Sequence, residues 1–456
     1  MKLCLVTAFP PSNRQLNEYA LHIATELRRN PSVNLMIVAD HLDTYEFVTD
    51  ADGNRQECGQ EAELPGFHVT RCWKFNSMAT PVHLLKAIYR IRPDVVWFNL
   101  VFSTFGTPRN PVAAFAGLCV PALTRASGFY THVTLHHIIE HVDFAGAGVK
   151  RERFFRLGSD IATRILLQAN SVSVLLSGYQ RTLSEKYSAE NVLLGTHGIF
   201  TQCPTAPNLA KRGTPDHRIL AIGHWGTYKR LETLIAAFPA VLEKIPNARL
   251  VIAGGNHHTT PGYWESVRES VRGISRIEFH GYVAEEMIPE LFKSSSVMTM
   301  PYDSSTGSSG PAHLACEFGV PIVCADIPDF RDMARDEEMA VTFYKKGDAT
   351  DLAGKLIGVL ESRDRQRQMA EQNFSAALRM TMPRVVRHYL RWFELERCKQ
   401  TLGSIVEPRS RPRSWRASVG SALFRRFSTF SSNWTLQSSL RGPSGLSSRG
   451  EEDPGQ

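Results

Sequence analysis

The sequence predicts an α/β protein built on two doubly wound parallel sheets, and three observations predict it. Short β-branched runs alternate with amphipathic helical patterns over residues 1–200, and a second alternating series starts at 218. Strand candidates such as DVVWFN (94–99) are apolar with little interruption, which suits strands covered by helices on both faces. Between the two series lies TQCPTAPNLAKRGTPDH (201–217), with three prolines and no periodicity, which reads as a linker.

In the first series strands are expected at 3–7, 33–39, 67–72, 94–99, 132–135, 171–176 and 191–194. Helices at 15–28, 83–90 and 153–168 lie among them. In the second, strand 218–223 precedes a helix with apolar positions at Leu231, Leu234, Phe238, Leu242 and Ile245. Strands at 249–253, 276–279, 296–300 and 320–325 follow, separated by helices at 263–272, 285–293 and 310–318. The right-handed crossover rule folds each series into its own doubly wound unit. Residues 380–400 form one more helix.

The expected division is therefore 1–200, a linker at 201–217, 218–380, a helix at 381–401, and a tail at 402–456. Beyond about residue 407 Ser, Arg, Pro and Gly dominate, so most of the tail is expected to be disordered. Within it Trp415, Val419, Leu423, Phe427 and Phe430 share one helical face, with Arg416, Arg425 and Arg426 elsewhere. Two readings stay open, a chance pattern weakened by Gly420 or a basic amphipathic helix on an anionic membrane surface. The sequon at Asn433 is taken as accidental.

At 456 residues, 43% hydrophobic and 21% charged, the composition is that of a soluble globular protein large enough for two or three cores. A net charge of +7 fits a small anionic ligand or an anionic membrane surface at least as well as nucleic acid, and no lysine-rich stripe with interleaved aromatics appears. The eight cysteines form no C-x-x-C pair and read as buried, reduced thiols of a cytosolic chain. The N-terminal MKLCLVTAF has too short an apolar core for a signal peptide and reads as a first strand. The longest apolar stretch, 111–123, holds two prolines and falls short of the roughly 20 residues that cross a bilayer.

Two turns carry the chemistry. After strand 218–223 comes Gly223-His224-Trp225-Gly226-Thr227-Tyr228-Lys229-Arg230. Two cations at a helix start oppose the macrodipole unless an anion is near, so Lys229 and Arg230 are assigned to a phosphate rather than to a merely solvated helix end. Farther on, Gly307-Ser308-Ser309-Gly310 opens a helix with Pro311 in its first turn, offering backbone N–H groups and two hydroxyls to a phosphate. Simple N-capping explains one serine, whereas a two-glycine loop asks for close backbone approach. Together these turns suit a diphosphate, and hence a nucleotide-sugar.

On these residues the chain resembles the retaining glycosyltransferases of family 4, which have the two-Rossmann-domain GT-B fold. The resemblance spans roughly residues 1–400 and is strongest over 218–330. It implies an N-terminal acceptor domain, a C-terminal donor domain, a cleft between them, and a last helix crossing back, as 380–400 would. Gly223 and Lys229 match the family's Gly-Arg and Lys-Gly turn in spacing, with His224 in place of Arg and Arg230 in place of Gly. Gly254, closing the strand VIAGG, joins Gly223 and His224 among the implied donor contacts. The family's paired glutamates fall on Thr306 and Leu314, so both carboxylates are absent; Asp303 or Glu317 would be substitutes. The strand HVTL ends at His136, resembling the family's Thr-x-His, and His136 is taken as the catalytic-site residue, with a plain core histidine as the alternative. After Phe9-Pro10-Pro11 the family's usual Gly-Gly is missing and Arg14 stands about there, to meet an anionic acceptor or the donor phosphate or simply to face water. Ser177 and His197 resemble family positions, as cleft residues or as simple caps and turns.

One motif points elsewhere. His137-Ile138-Ile139-Glu140-His141 matches H-x-x-E-H, which on a helix places two zinc ligands beside a general base. It follows a strand end and lacks an evident third ligand, so it is set aside. His257-His258 is read as cleft or surface.

The expected activity is transfer of a hexose from a nucleoside diphosphate sugar to a carbohydrate or lipid-linked acceptor. The resemblance implies retention, no metal, and no cofactor beyond the nucleotide-sugar co-substrate. The protein is expected in the cytoplasm, with peripheral contact at the inner face of a membrane and no nucleic-acid partner. A nucleotide-sugar epimerase on the same fold and a non-catalytic nucleotide-sugar-binding protein remain as rivals.

Overall fold

The structure is a computed structural model. It describes all residues except 43–46, 50–54, 58–63, 108–109, 142–151, 209–216, 258–259, 275, 306 and 407–456. The chain divides into two compact units, Met1–Phe393, which holds both large sheets, and Glu394–Gln456.

The first sheet uses β1 (Lys2–Val6), β2 (Asn34–Asp40), β5 (Val69–Trp73), β6 (Val95–Leu100), β7 (Tyr130–Leu135), β8 (Ser171–Val174) and β9 (Val192–Leu194); β3 (Phe47–Thr49) and β4 (Arg55–Glu57) pair as a small separate ribbon. Its order is β5-β2-β1-β6-β7-β8-β9, every pair parallel. Helices α1 (Asn17–Arg28), α2 (Thr80–Ile91), α3 (Pro111–Leu118), α4 (Val120–Ala126), α5 (Glu152–Leu166) and α6 (Ser177–Tyr187) supply the crossovers. All six residues of β6 are buried, as its apolar sequence requires of a strand covered on both sides. α1 buries Tyr19, Ala20, Ile23, Ala24 and Leu27, a single stripe of 3.6-residue period. The apolar stretch 111–123 is two short helices, the first capped by the Asn110 side chain accepting from the Ala113 N–H with Pro111 behind it.

The second sheet runs β12-β11-β10-β13-β14-β15, again all parallel, from β10 (Arg218–Ile222), β11 (Arg249–Ala253), β12 (Ile277–His280), β13 (Val297–Met300), β14 (Ile322–Ala325) and β15 (Val341–Tyr344). Its helices are α7 (Leu231–Lys244), α8 (Tyr263–Ser270), α9 (Ile288–Lys293), α10 (Gly310–Glu317), α11 (Pro328–Asp336), α12 (Ala349–Leu360) and α13 (Arg363–Arg379). The helix expected over 285–293 is a 3-10 turn at Glu285–Met287 followed by α9, because Pro289 can enter a helix only in its first turn.

In each sheet the strand order reverses beside the first strand, between β1 and β6 and between β10 and β13, which places loops from opposite crossovers next to each other. α14 (Met382–Val406) follows the second sheet, yet its early residues Met382, Val385, Tyr389 and Phe393 join the core under Leu3, Leu5 and Trp97 of the first. Tyr389 and Trp97 lie 4.6 Å apart between ring centroids. The two chain crossings run side by side: the Ile199 N–H donates to Met380 O at 2.8 Å, and Ile199 bridges Thr381.

The described cysteines are free thiols. Cys4, Cys316 and Cys324 are buried and pushed up by desolvation, but Cys203 and Cys398 are exposed, so burial is not general. Cys58, the C-terminal amphipathic pattern and the Asn433 sequon lie outside the described residues. Among the described residues no helix is long and apolar enough to cross a membrane.

Candidate active site

The first-lobe wall is the end of β7. The His136 N–H continues the ladder to Leu100 O at 3.1 Å, and its ring is 8% exposed. Nε2 lies 2.7 Å from Asn99 Oδ1, while Asn99 Nδ2 donates to Thr7 Oγ1. With a carbonyl opposite it, Nε2 carries the proton of the neutral ring. Burial, then the neighbouring His137, lowers the His136 pKa to about 3. The ring is therefore an uncharged, oriented group throughout the working pH range. A pH–rate profile should accordingly show no limb between pH 5 and 8 that His136→Asn removes; such a limb would contradict this geometry. Tyr19 meets the ring edge-on at 4.7 Å and donates to His197 O at 2.8 Å, tying His197 into the same cluster.

The second-lobe floor is the turn after β10. A 3-10 turn at Thr227–Lys229 folds the Lys229 side chain back over the strand end. Its ammonium lies 4.8 Å from the Tyr302 ring centroid and about as near to Gly223, where a Cβ would stand 3.1 Å from Nζ. Among the described residues no acceptor or carboxylate pairs with it. Desolvation lowers its pKa to about 8. The Tyr302 hydroxyl, 3.3 Å from the same Cβ position, is buried without a partner. A partly buried cation and an orphan hydroxyl at a switch point are the features of an anion site.

Gly254 supports this floor from β11. Its φ is +97°, and a Cβ there would lie 2.0 Å from Gly223 O. No side-chain motion relieves a backbone contact of that kind. Gly254→Ala should lose at least about 2 kcal/mol in chemical denaturation, from left-handed strain and the shift it forces. An unchanged midpoint would show that the two strand ends are not held this close.

Arg230 is not the free cation expected. Its guanidinium faces Asp303 at 3.4 Å, both half-exposed, and the Asp303 N–H donates to Tyr228 O at 2.8 Å. The pair fastens the 228–230 turn to the start of the second loop, and it occupies the carboxylate proposed as a substitute for the missing glutamates. Glu317, the other substitute, accepts from Thr201. His224 is exposed, and His257 meets Tyr228 edge-on at 5.6 Å.

The second loop comes up against the first lobe. Gly307 has φ +101°, and a Cβ on it would stand 2.5 Å from His136 O. The close approach inferred from two glycines therefore holds at Gly307 and not at Gly310, whose Cβ would meet nothing within 4 Å. Ser309 occupies the N-cap position of α10 without a side-chain cap, its hydroxyl lying 3.2 Å from Met300 Sδ. The Ser308 Oγ is buried and unpartnered. Ser308 thus retains a hydroxyl for a ligand, whereas Ser309 spends its own inside. Leu314 packs against the core and offers nothing polar; Thr306 and His258 lie outside the described residues.

Two first-lobe positions serve elsewhere than in an open cleft. The Ser177 N–H and Oγ both bond Asp336, at 2.7 and 2.9 Å, and Tyr179 donates to Asp329 at 2.7 Å. These bonds fasten α6 to α11, so Ser177 is a lobe tether. Arg14 pairs with Asp40 at 3.5 Å and lies over the Phe75 ring at 3.9 Å, held within its own lobe.

One buried group was not anticipated. His313 has Nδ1 2.7 Å from Ser309 O and Nε2 2.9 Å from Glu337 Oε2, and its ring centroid lies 4.5 Å from that of His197. Nδ1 thus faces a carbonyl and Nε2 a carboxylate, an arrangement that favours the charged ring. Burial opposes the charge, but the Glu337 carboxylate and the two bonds raise its pKa above the ordinary value. Its position four residues after Ser309 was visible; Glu337 as its partner was not.

The H-x-x-E-H pattern does not form its zinc geometry. Ile139–His141 is a single 3-10 turn, not the α-helix that aligns positions four apart, and Glu140 accepts from Tyr187 and Lys186. Among the described residues one group could approach a metal: Glu18, His22 and Glu285 have potential ligand atoms within 4.8 Å of one another, with both glutamates exposed.

Residues 216–362 match the model of the family described as Glycosyl transferases group 1. No curated protein matches the chain. Among solved structures it is similar to sucrose-phosphate synthase from Thermosynechococcus elongatus, at 15% identity over 88% of this chain and 100% of that one, with a TM-score of 0.65. It is also similar to Anabaena HepE in complex with UDP and glucose, at 14% identity over 88% and 99% with a TM-score of 0.57. A third is the lipopolysaccharide outer core galactosyltransferase WaaB in its apo form, at 14% identity over 87% and 100% with a TM-score of 0.57. Likeness at this identity establishes the two-lobed fold.

Proposed function

We propose, from a second lobe that belongs to the group 1 glycosyl transferases, that this protein moves a hexose from a nucleoside diphosphate sugar to a carbohydrate or lipid-linked acceptor. The observation that carries the reading is the unpaired, partly buried Lys229 ammonium at the second sheet's switch point. A diphosphate held there meets Lys229 and the Tyr302 hydroxyl. The Ser308 hydroxyl and the amides opening α10 lie on the adjoining loop. As the sugar leaves, charge grows on the diphosphate, and these fixed groups stabilise it without reorganising.

His136 contributes position rather than acid–base chemistry. Its ring is neutral and bonded to Asn99, and its carbonyl oxygen lies close against Gly307, which registers the donor loop against the first lobe. In this reading the departing phosphate takes the acceptor proton and the anomeric configuration is retained, as the family resemblance implies. We read the reaction as metal-independent, so chelator should leave turnover unchanged. HepE has been solved with UDP, which makes uridine the first base to test. A lipid-linked acceptor would be met at a membrane surface. Removing residues 410–432 should then lower liposome binding, and unchanged binding would dispose of that contact.

The deciding experiment is donor consumption with and without acceptor. Sugar transfer only in the presence of acceptor supports the reading. Consumption without acceptor favours an epimerase or hydrolase, and thermal stabilisation by UDP-sugars without consumption a binding protein.

A further inference from the structure

A second cationic site lies where the chain crosses between lobes. A cavity of 540 Å³ is lined by Arg379, Arg384, Arg387, His388 and Arg391, with Thr196 closing it from the end of the first series. Arg384, Arg387, His388 and Arg391 fall at successive turns on one exposed face of α14. Arg379 is neutralised by Glu338 at 2.9 Å. Among the described residues the other three arginines have no carboxylate partner.

This arrangement is unfavourable as it stands. The first turn of α14 contains no acidic residue and carries Arg384, where the macrodipole favours an anion. Like charges one turn apart also repel. Neither core packing nor an internal ion pair explains three guanidiniums converging on one cavity. An oxyanion with several phosphate oxygens answers both costs, since arginine forks match phosphate geometry in pairs.

We propose that this cavity binds a phosphate-rich anion, separately from the donor site. The bound group would contact Thr196 and α14 together, beside the Ile199–Thr381 bridge that joins the two crossings. Its chemistry is that of a phosphate oxyanion, supplied either by a soluble metabolite or by an anionic lipid headgroup.

The test uses the full chain. Inorganic pyrophosphate also fits the donor loop, so calorimetric titration starts from Lys229→Ala. That protein is compared with the same protein carrying R384Q, R387Q and R391Q, three exposed positions. Flotation on phosphatidylglycerol and phosphatidylcholine vesicles is measured for both. For a soluble anion, pyrophosphate affinity falls at least about tenfold on losing the three arginines, while flotation is alike. For a headgroup, phosphatidylglycerol flotation is lost with the arginines. If the three substitutions change neither pyrophosphate binding nor flotation, the proposal is wrong.

Discussion

Lys229→Ala is expected to lower kcat/KM for the donor by about 100- to 1,000-fold, the usual cost of deleting one preorganised charge-stabilising group. The pH dependence gives the assignment a sharper test. Only the ammonium form holds a diphosphate, and burial has brought its pKa down to about 8. As pH rises through 8 the ligand-free enzyme loses that charge, so kcat/KM should fall on the alkaline side. Lys229→Arg should remove this limb while keeping part of the activity, because a guanidinium stays charged. The sign for stability is the reverse. Between about 8 and 10.5 the unfolded lysine keeps its proton and the native one does not, so this group makes the ligand-free fold more stable as pH rises. Wild-type kcat/KM in Lys229→Ala would remove the diphosphate site from this turn.

Gly307→Ala should be nearly as damaging for a different reason. The new methyl would lie 2.5 Å from the His136 carbonyl oxygen, on a residue with φ +101°. The left-handed strain costs about 1–3 kcal/mol, and the contact relaxes only if the loop retreats from the first lobe. Retreat misplaces the Ser308 hydroxyl and the amides opening α10. The expected result is a fall of more than about tenfold in kcat/KM with a melting point lowered by only a few degrees. Loss of stability with unchanged kinetics would mean that the loop does not position the donor.

Much of this was legible because it is local. Alternating strand and helix periods announced both sheets, and the spacing from Gly223 to Lys229 found the cation that the fold leaves unpaired. The same alternation continues through β15, α12 and α13, beyond the last strand expected from the sequence. Polar alternation in β15 and the charged face of α13 gave a weaker apolar signal than DVVWFN. Individual roles were less readable. Arg14 and Arg230 looked alike as candidate phosphate cations, yet Asp40 and Asp303 neutralise them. Ser177 looked like a cleft residue until Asp336, 159 residues away, took both its donors.

By itself the sequence determined the two doubly wound units and the chemical types available at their strand ends, because period, turn residues and helix starts act over a few neighbours. Only the tertiary structure decided which of those groups remain unsatisfied. Whether a cation or a hydroxyl is free depends on partners brought near by packing, as Glu337 is to His313 and His136 to Gly307. A pKa or an orphan hydroxyl is a property of that packed environment.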